Sequence, residues 1–428
     1  MSTAGRLLEP ERFAFGDWLR PGDQVVCGQA CAEPLTLTRR LVAECAGSRL
    51  PLQAFVGTLF SDTFEAAPAS MRFLSYGAIG QASRIADRGA LDVVPERYSR
   101  LPGLFASGAL RADMALLQAA AAPDGTLSFG LSSDYVVDAA RRARVVLVEV
   151  NPLAPWTHGT PWPQDLRVDA WVRAAHGPVE LPAPRMGPVE QAIAGHVAAL
   201  VPDGATLQVG VGALPDATLD ALRGHRALGL HSGVLGDAGV RLIEAGAIDN
   251  SRKERDAGIS VANTVCGGAA SYRFVHANAA VQVCHSDVTH GAAVLAQLGR
   301  LHAINGALEM DLSGQVNSEQ LQGRLRGGIG GLLDFARAAR ESRGGRAITV
   351  LQATAAGGTA SRIVASLGGR PVTVGRSDVD VVVTEYGVAE LRDVPLHERA
   401  RRLIAIAAPQ FRDGLERDYR AMQESVHG

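Results

Sequence analysis

The sequence predicts an α/β protein built from two related α/β domains, and two observations carry that prediction. Short β-branched runs alternate with Ala/Leu/Arg-rich stretches of helical period, the pattern of a mostly parallel sheet covered on both faces. In addition, one local unit recurs about 180–190 residues further along the chain.

The first of these runs is QVVC, Gln24–Cys27, followed by a helical stretch from Leu35 to Cys45. VVLVEV at Val145–Val150 is the next buried strand of the first half. ELPAPRMGP, Glu180–Pro188, is Pro-rich between two periodic regions and makes the linker, so the domains are placed at 1–185 and 186–428. Pro188 suits the first position of a helix running to Leu200. TLQV at Thr206–Val209, Ala347–Leu351 and Val379–Thr384 are the strands of the second half. The recurrence pairs PGDQVVCGQACAEPL (from Pro21) with PDGATLQVGVGALPDATL (from Pro202), and PDGTLSFGLSSD (from Pro123) with DLSGQVNSEQ (from Asp311). Duplication explains the pairs; two generic strand–loop–helix units would give the same pattern.

Composition narrows the function. Hydrophobic residues make up 47% and charged residues 20% of the 428, the profile of a globular chain. A formal charge of −2, with aromatics at 5% and no basic–aromatic stripe, argues against a nucleic-acid partner. No window approaches ~20 apolar residues, and the start shows no secretory pattern, so neither a membrane nor export is expected. Five cysteines are sparse and odd in number, which suits the reducing cytoplasm. Lys253 is the only lysine, and the polar run DNSRKERDAG around it predicts a solvated side chain rather than a nucleophile.

Two glycine loops are the candidates for chemistry. VGVGALPD (Val209–Asp216) follows a strand and opens a helix, so Gly210 and Gly212 allow close backbone approach and the helix start faces an anion. Pro215 occupies the third glycine position of a dinucleotide fingerprint, which disfavours NAD. RGGIGGLLDF (Arg326–Phe335) places Gly327, Gly328, Gly330 and Gly331 around Ile329 before an amphipathic helix near Leu332. A sharp turn between packed elements explains that density as well as a ligand loop does. CHSDVTH (Cys284–His290) offers three potential ligands without a recognised zinc spacing; a surface loop after the strand Ala279–Val283 is the simpler reading, and no metal is expected. Cys27 and Cys31 read as buried packing. Arg141–Arg144 and Arg399–Arg402 read as solvated helix faces, with contact to nucleotide phosphates as the alternative.

With these segments in view, the chain resembles the acetyl-CoA hydrolase/transferase family, which includes 4-hydroxybutyrate and butyryl-CoA:acetate CoA-transferases. The most specific stretch is INGALEMDLSGQVNSE, Ile304–Glu319. It is joined by VGVGALPDA, GGIGGLLDF, SRIV (Ser361–Val364), VVTEYGVAEL (Val382–Leu391), VNPLAPWTHG (Val150–Gly159) and DGTLSFGLSSDY (Asp124–Tyr135). The resemblance implies two similar open α/β domains of the CoA-transferase, NagB/RPIA-like type, with acyl-CoA bound in the cleft between them, and a homodimer. It implies that coenzyme A enters as the thioester substrate. Gly210, Val211 and Gly212 would form one oxyanion and CoA loop, Gly328, Ile329, Gly330 and Gly331 a second, and Asn305 would lie near the acyl group. It also implies a glutamate nucleophile in a segment of the form H-[ST]-E-x-x-x-D-G, passing through an anhydride and a glutamyl-CoA thioester.

Here that segment is HSGVLGDAG, His231–Gly239, and Gly233 stands at the glutamate position. His231, Ser232 and Asp237 fit the pattern, but glycine offers no nucleophile. The leading expectation is therefore acyl transfer to water or another acceptor without a glutamyl-CoA intermediate, with His231 or Asp237 orienting or deprotonating the attacker. The alternatives are a conventional CoA-transferase using a displaced carboxylate (Asp237, Glu309 or Glu385) and a catalytically silent acyl-CoA-binding partner. A Ser232–His231 pair is disfavoured because neighbours on a strand face opposite ways.

Overall fold

The computed structural model describes residues 7–48, 50–210 and 212–427; Val211 lies outside them. Two nine-stranded sheets form the framework. QVVC, VVLVEV and TLQV are strands with the expected bounds, nearly every residue buried, as β-branched runs in a sheet covered on both faces must be. The helix after QVVC extends to Ser48, and the helix Pro188–Leu200 forms as expected.

The first sheet runs Leu7–Leu8, Ala170–Arg173, Val145–Val150, Met114–Ala121, Gln24–Cys27, Leu52–Phe55, Met71–Ser75, Leu91–Val93, these eight parallel, while its ninth strand, Leu127–Ser128, pairs antiparallel with the end of Met114–Ala121. The second runs Gly387–Glu390, Val381–Thr384, Arg346–Val350, Leu301–Gly306, Thr206–Val209, Gly229–Gly236, Ser260–Cys266, Val281–Val283, His158–Gly159. Only its Gly387–Glu390 edge is antiparallel. In each sheet the strand after the Pro-Gly or Pro-Asp turn sits centrally. The next three strands step outward on one side, and the later ones on the other. That identical walk favours duplication over coincidence as the source of the sequence recurrence. The strand His158–Gly159 joins the edge of the second sheet although the chain has not yet left its first half.

Strand order reverses beside Gln24–Cys27 in one sheet and beside Thr206–Val209 in the other. Open parallel sheets leave a crevice at the carboxyl ends of their strands at that point. Gly28 and Gln29 follow the first of these strands; Gly210 follows the second, and Asn305 ends its neighbour Leu301–Gly306.

Beneath the first crevice lies Glu149, fully buried, with Oε2 accepting the amides of Thr36 (2.8 Å) and Leu37 (3.2 Å) at the start of the helix Leu35–Ser48. Its Oε1 has no hydrogen-bond partner. Burial raises its pKa from the usual 4.5 to about 7, against those amide bonds. A folded-state pKa above the unfolded one contributes stability that is complete below about pH 4.5 and is lost as pH rises through 7. At about 1.4 kcal/mol per pKa unit the loss is on the order of 3 kcal/mol. Thermal melts at pH 5 and pH 8 should therefore diverge more for the wild type than for Glu149→Gln; parallel pH dependence in the two proteins would refute this account.

Among the described residues no helix is long and apolar enough to cross a membrane. All five cysteines are unpaired and buried.

Candidate active site

The two crevices face one another and form one cleft of about 490 Å³. Its walls come from both halves: Gln29, Thr58, Phe60, Tyr76 and Tyr98 from the first, and Gly210, Gly212, Gly233, Asn263, His290, Asn305 and Gly328–Leu332 from the second. A cavity of about 660 Å³ around Trp156, Trp162 and Trp171 is larger, but holds neither glycine loop nor the nucleophile segment.

The first glycine loop leads into the helix Ala213–Ala221, whose first turn leaves amides without intrahelical partners. Gly212 has φ +129°, a conformation that only glycine adopts readily, so its identity is set by the backbone. Beside the loop, Asn305 and Gln208 pair reciprocally: Asn305 Nδ2 donates to Gln208 Oε1 (2.8 Å) and Gln208 Nε2 donates to Asn305 Oδ1 (3.1 Å). Gln208 thus orients the carboxamide that the sequence placed near the acyl group.

The second loop needs its glycines for packing. A Cβ on Gly327 would lie 2.2 Å from Ser318 O, one on Gly328 2.7 Å from Gly77 Cα, and one on Gly331 2.6 Å from His290 Nε2. Only Gly330 has open space, and it has φ +49°. The loop is clamped by the first half, with Ala78 N donating to Gly327 O (2.8 Å) and Tyr98 N to Gly330 O (2.9 Å). Both the sharp-turn reading and the ligand-loop reading therefore describe part of it: packing sets the residue type, and position puts the loop in the cleft wall.

A polar chain crosses between the halves at the floor. Tyr76 Oη donates to Gln29 Oε1 (2.8 Å), Gln29 Nε2 to Tyr98 Oη (2.7 Å), and Tyr98 Oη to Asn263 Oδ1 (2.9 Å). Asn263 Nδ2 donates to the carbonyls of Ser133 (2.8 Å) and Cys284 (3.0 Å), fixing the start of the segment that ends at His290. Each member is satisfied, as a buried network must be to hold one geometry.

Gly233 lines the cleft, on the strand Gly229–Gly236. The other two residues expected to act from this segment do not reach it. His231 is fully buried behind the wall, its Nε2 donating to Thr289 O (3.1 Å); burial, with Lys253 adding repulsion, lowers its pKa to about 4. Asp237 is the first residue of the helix Asp237–Glu244, and its Oδ1 accepts from Gly268 N (3.1 Å) and Ser271 Oγ (2.5 Å) at the start of the helix Ala269–Val275, outside the cleft lining. Neither can orient or deprotonate an attacker from there. Ser232 turns the other way from His231 and bonds Val209 O (3.1 Å), so no Ser–His pair exists.

The space in front of Gly233 belongs to His290. A Cβ at 233 would meet its Nε2 at 3.0 Å and Cε1 at 3.3 Å. Sequence reading missed this residue: CHSDVTH is a short buried helix turn, Ser286–Thr289, with His290 4% exposed, instead of a surface loop. His285 Nε2 meets Asp138 (2.8 Å) while His290 points elsewhere, so the three potential ligands are not gathered around one point. Among the described residues no cluster of His, Cys, Asp or Glu is placed to hold a metal.

Two cationic residues also differ from expectation. Lys253 is buried at 5% exposure, and its Nζ donates to Leu230 O (2.9 Å) and Ile259 O (2.7 Å). Burial lowers its pKa to about 8, yet it does not line the cleft. Arg399 is equally buried, donating to Arg376 O (2.7 Å), so only Arg401 and Arg402 form the solvated face, paired with Glu398.

Known proteins echo this geometry. The acetyl-CoA hydrolase/transferase N-terminal domain model matches residues 11–163, and the C-terminal domain model matches 267–419. The 4-hydroxybutyrate coenzyme A transferase of Clostridium kluyveri is 40% identical over 346 residues, 80% of each chain. The structure of RipA from Yersinia pestis matches with a TM-score of 0.88 at 31% identity over 95% of both chains. A 4-hydroxybutyrate CoA-transferase structure from Porphyromonas gingivalis matches with a TM-score of 0.78 at 32% identity, again over 95% of both.

Proposed function

The chain belongs to the acetyl-CoA hydrolase/transferase family, and from that premise we propose that it passes the acyl group of a CoA thioester directly to water or a non-carboxylate acceptor, without a glutamyl-CoA intermediate. One observation carries the reading: among the described residues lining the cleft there is no aspartate or glutamate. A displaced carboxylate is disfavoured for each candidate. Asp237 is bound to Gly268 and Ser271, Glu309 is buried against Asn317 and Arg370, and Glu385 accepts the amide of Ala353.

What remains suits carbonyl polarisation. The Gly210–Gly212 loop with the following helix start, and the Asn305 carboxamide held by Gln208, converge on the cleft that would receive the thioester. Donors of this kind stabilise a tetrahedral oxyanion whichever nucleophile attacks. Gly328, Ile329, Gly330 and Gly331 supply the opposite wall for CoA. The unpaired cysteines support a cytoplasmic setting, the resemblance supports a homodimer, and the boundary is read at 185/186.

The test is to incubate the protein with acetyl-CoA and butyryl-CoA while following free thiol and intact protein mass. Thiol release at unchanged mass is the expected result. A protein-bound CoA adduct would defeat the proposal, and binding without turnover would make the protein a silent partner instead.

A further inference from the structure

We propose that His290 is the catalytic base of this site, its Nε2 taking the proton from the water that attacks the thioester carbonyl. The inference rests on the direct-attack reading above and names the group that replaces the missing carboxylate.

The position is the first argument. His290 Nε2 lies 3.0 Å from where a side chain at 233 would begin, so it stands in the room that a glutamate there would enter. Among the described residues lining the cleft it is the only histidine, and none is an aspartate, glutamate, lysine or arginine.

The tautomer is the second. Thr289 Oγ1 lies 3.3 Å from His285 O and 2.8 Å from His290 Nδ1. In the tautomer this role uses, the hydroxyl donates to the carbonyl and accepts from Nδ1–H, and Nε2 presents a bare lone pair at the cleft wall. Thr289 thereby plays the part an orienting acceptor plays behind a catalytic imidazole.

Rigidity is the third. Tyr98 packs on the ring with centroids 4.7 Å apart, and Phe335 meets it edge-on at 4.9 Å. His231 Nε2 bonds the carbonyl of Thr289 and so braces the turn from behind. Its place in the H-[ST]-x pattern is thus that of a positioning residue.

The groups facing His290 are His231 on the neighbouring strand, His285 at the start of its own turn, and the Tyr98 hydroxyl from the first half. Burial, with the two histidines adding repulsion, lowers its pKa to about 3, so the ring is neutral across the working range. Negative charge forming on the thioester oxygen in the same cleft favours the protonated ring at the moment it is needed.

The step balances as follows. The water oxygen bonds to the thioester carbon as its proton passes to Nε2, and the carbonyl electron pair moves to oxygen. The pair returns, the C–S bond breaks, and the proton on Nε2 passes to the departing thiolate. The products are the free acid and CoA thiol.

With acetyl-CoA and butyryl-CoA as probes, His290→Gln should lower kcat by roughly 10²- to 10⁴-fold while CoA affinity is retained. Free imidazole should restore part of the activity of His290→Ala, an effect no structural role predicts. The wild-type kcat/KM should show no inflection near pH 6.5, where an ordinary histidine titrates. Hydrolysis by His290→Gln within about threefold of wild type, or failure of imidazole to rescue His290→Ala, overturns this assignment and leaves direct attack standing. A wild-type CoA adduct, or no wild-type turnover, overturns the direct-attack reading and this one with it.

Discussion

Gly233→Glu alone should abolish thioester hydrolysis and yield no CoA transfer, whereas Gly233→Glu combined with His290→Ala should form a protein-bound CoA adduct and exchange CoA between carboxylates. The backbone at 233 imposes no conformational barrier, since its φ lies outside the left-handed range. The obstacle is the imidazole: the new Cβ would sit 3.0 Å from Nε2 and 3.7 Å from Phe335 Cε2. A glutamate in that room either displaces the ring or pairs with it. Pairing would occupy Nε2 and the space in front of it, so water could no longer reach the lone pair. Either outcome removes hydrolysis, by roughly 10²-fold or more on the scale of losing a general base. Truncating His290 clears the path, and the oxyanion loops then serve a glutamate as well as they serve water. Intact mass after incubation with acetyl-CoA, with CoA exchange into butyrate, reads the result. An adduct on the single variant would show that the two side chains fit together, and a silent double variant would show a pocket altered beyond these two residues.

The contrast between the two positions explains what the sequence could and could not convey. The strands QVVC, VVLVEV and TLQV were legible because burial on both faces demands continuous β-branched runs. The likeness of the two halves was legible only faintly, since the corresponding strands share their place in the sheet rather than their residues. Position 233 stood out because a pattern was broken there. His290 could not stand out: a histidine six residues after a cysteine looks the same in a surface loop as in a cleft wall. Its role follows from the Thr289 hydroxyl, from Tyr98 some 190 residues earlier, and from the space at Gly233, none of which is local. Lys253 was misjudged for a related reason. Polar neighbours suggested solvent, but the carbonyls of Leu230 and Ile259 supply the acceptors that allow an ammonium to be buried. Asp237 and His231 kept their places in a recognisable segment, yet the fold ties one to Gly268 and Ser271 and buries the other behind the wall.

The same distinction between chain pattern and packing yields a second large expected effect, within a single loop. Gly328→Ala should destabilise the protein by about 3 kcal/mol or more, the upper range for forced overpacking, while Gly330→Ala two residues on should cost about 1 kcal/mol. At 328 the added methyl would lie 2.7 Å from Gly77 Cα and 2.9 Å from Tyr76 O, both backbone atoms of the opposite half. Neither can rotate away. The loop cannot retreat, because Ala78 N and Tyr98 N hold it, and ion pairs fix its flanks: Arg326 with Asp87 (3.1 Å) and Asp334 with Arg97 (3.2 Å). The strain must therefore open the contact between the halves and shift Tyr76, the first donor of the polar chain through Gln29 and Tyr98. At 330 nothing lies within 4 Å, so the penalty is only that of a side chain at φ +49°. Urea unfolding of the two variants measures the difference directly. Equal losses would mean that the glycines serve loop conformation alone. A loss concentrated at 328, with weakened CoA binding, would mean that this loop joins the halves before it meets a ligand, and that the cleft depends on the join.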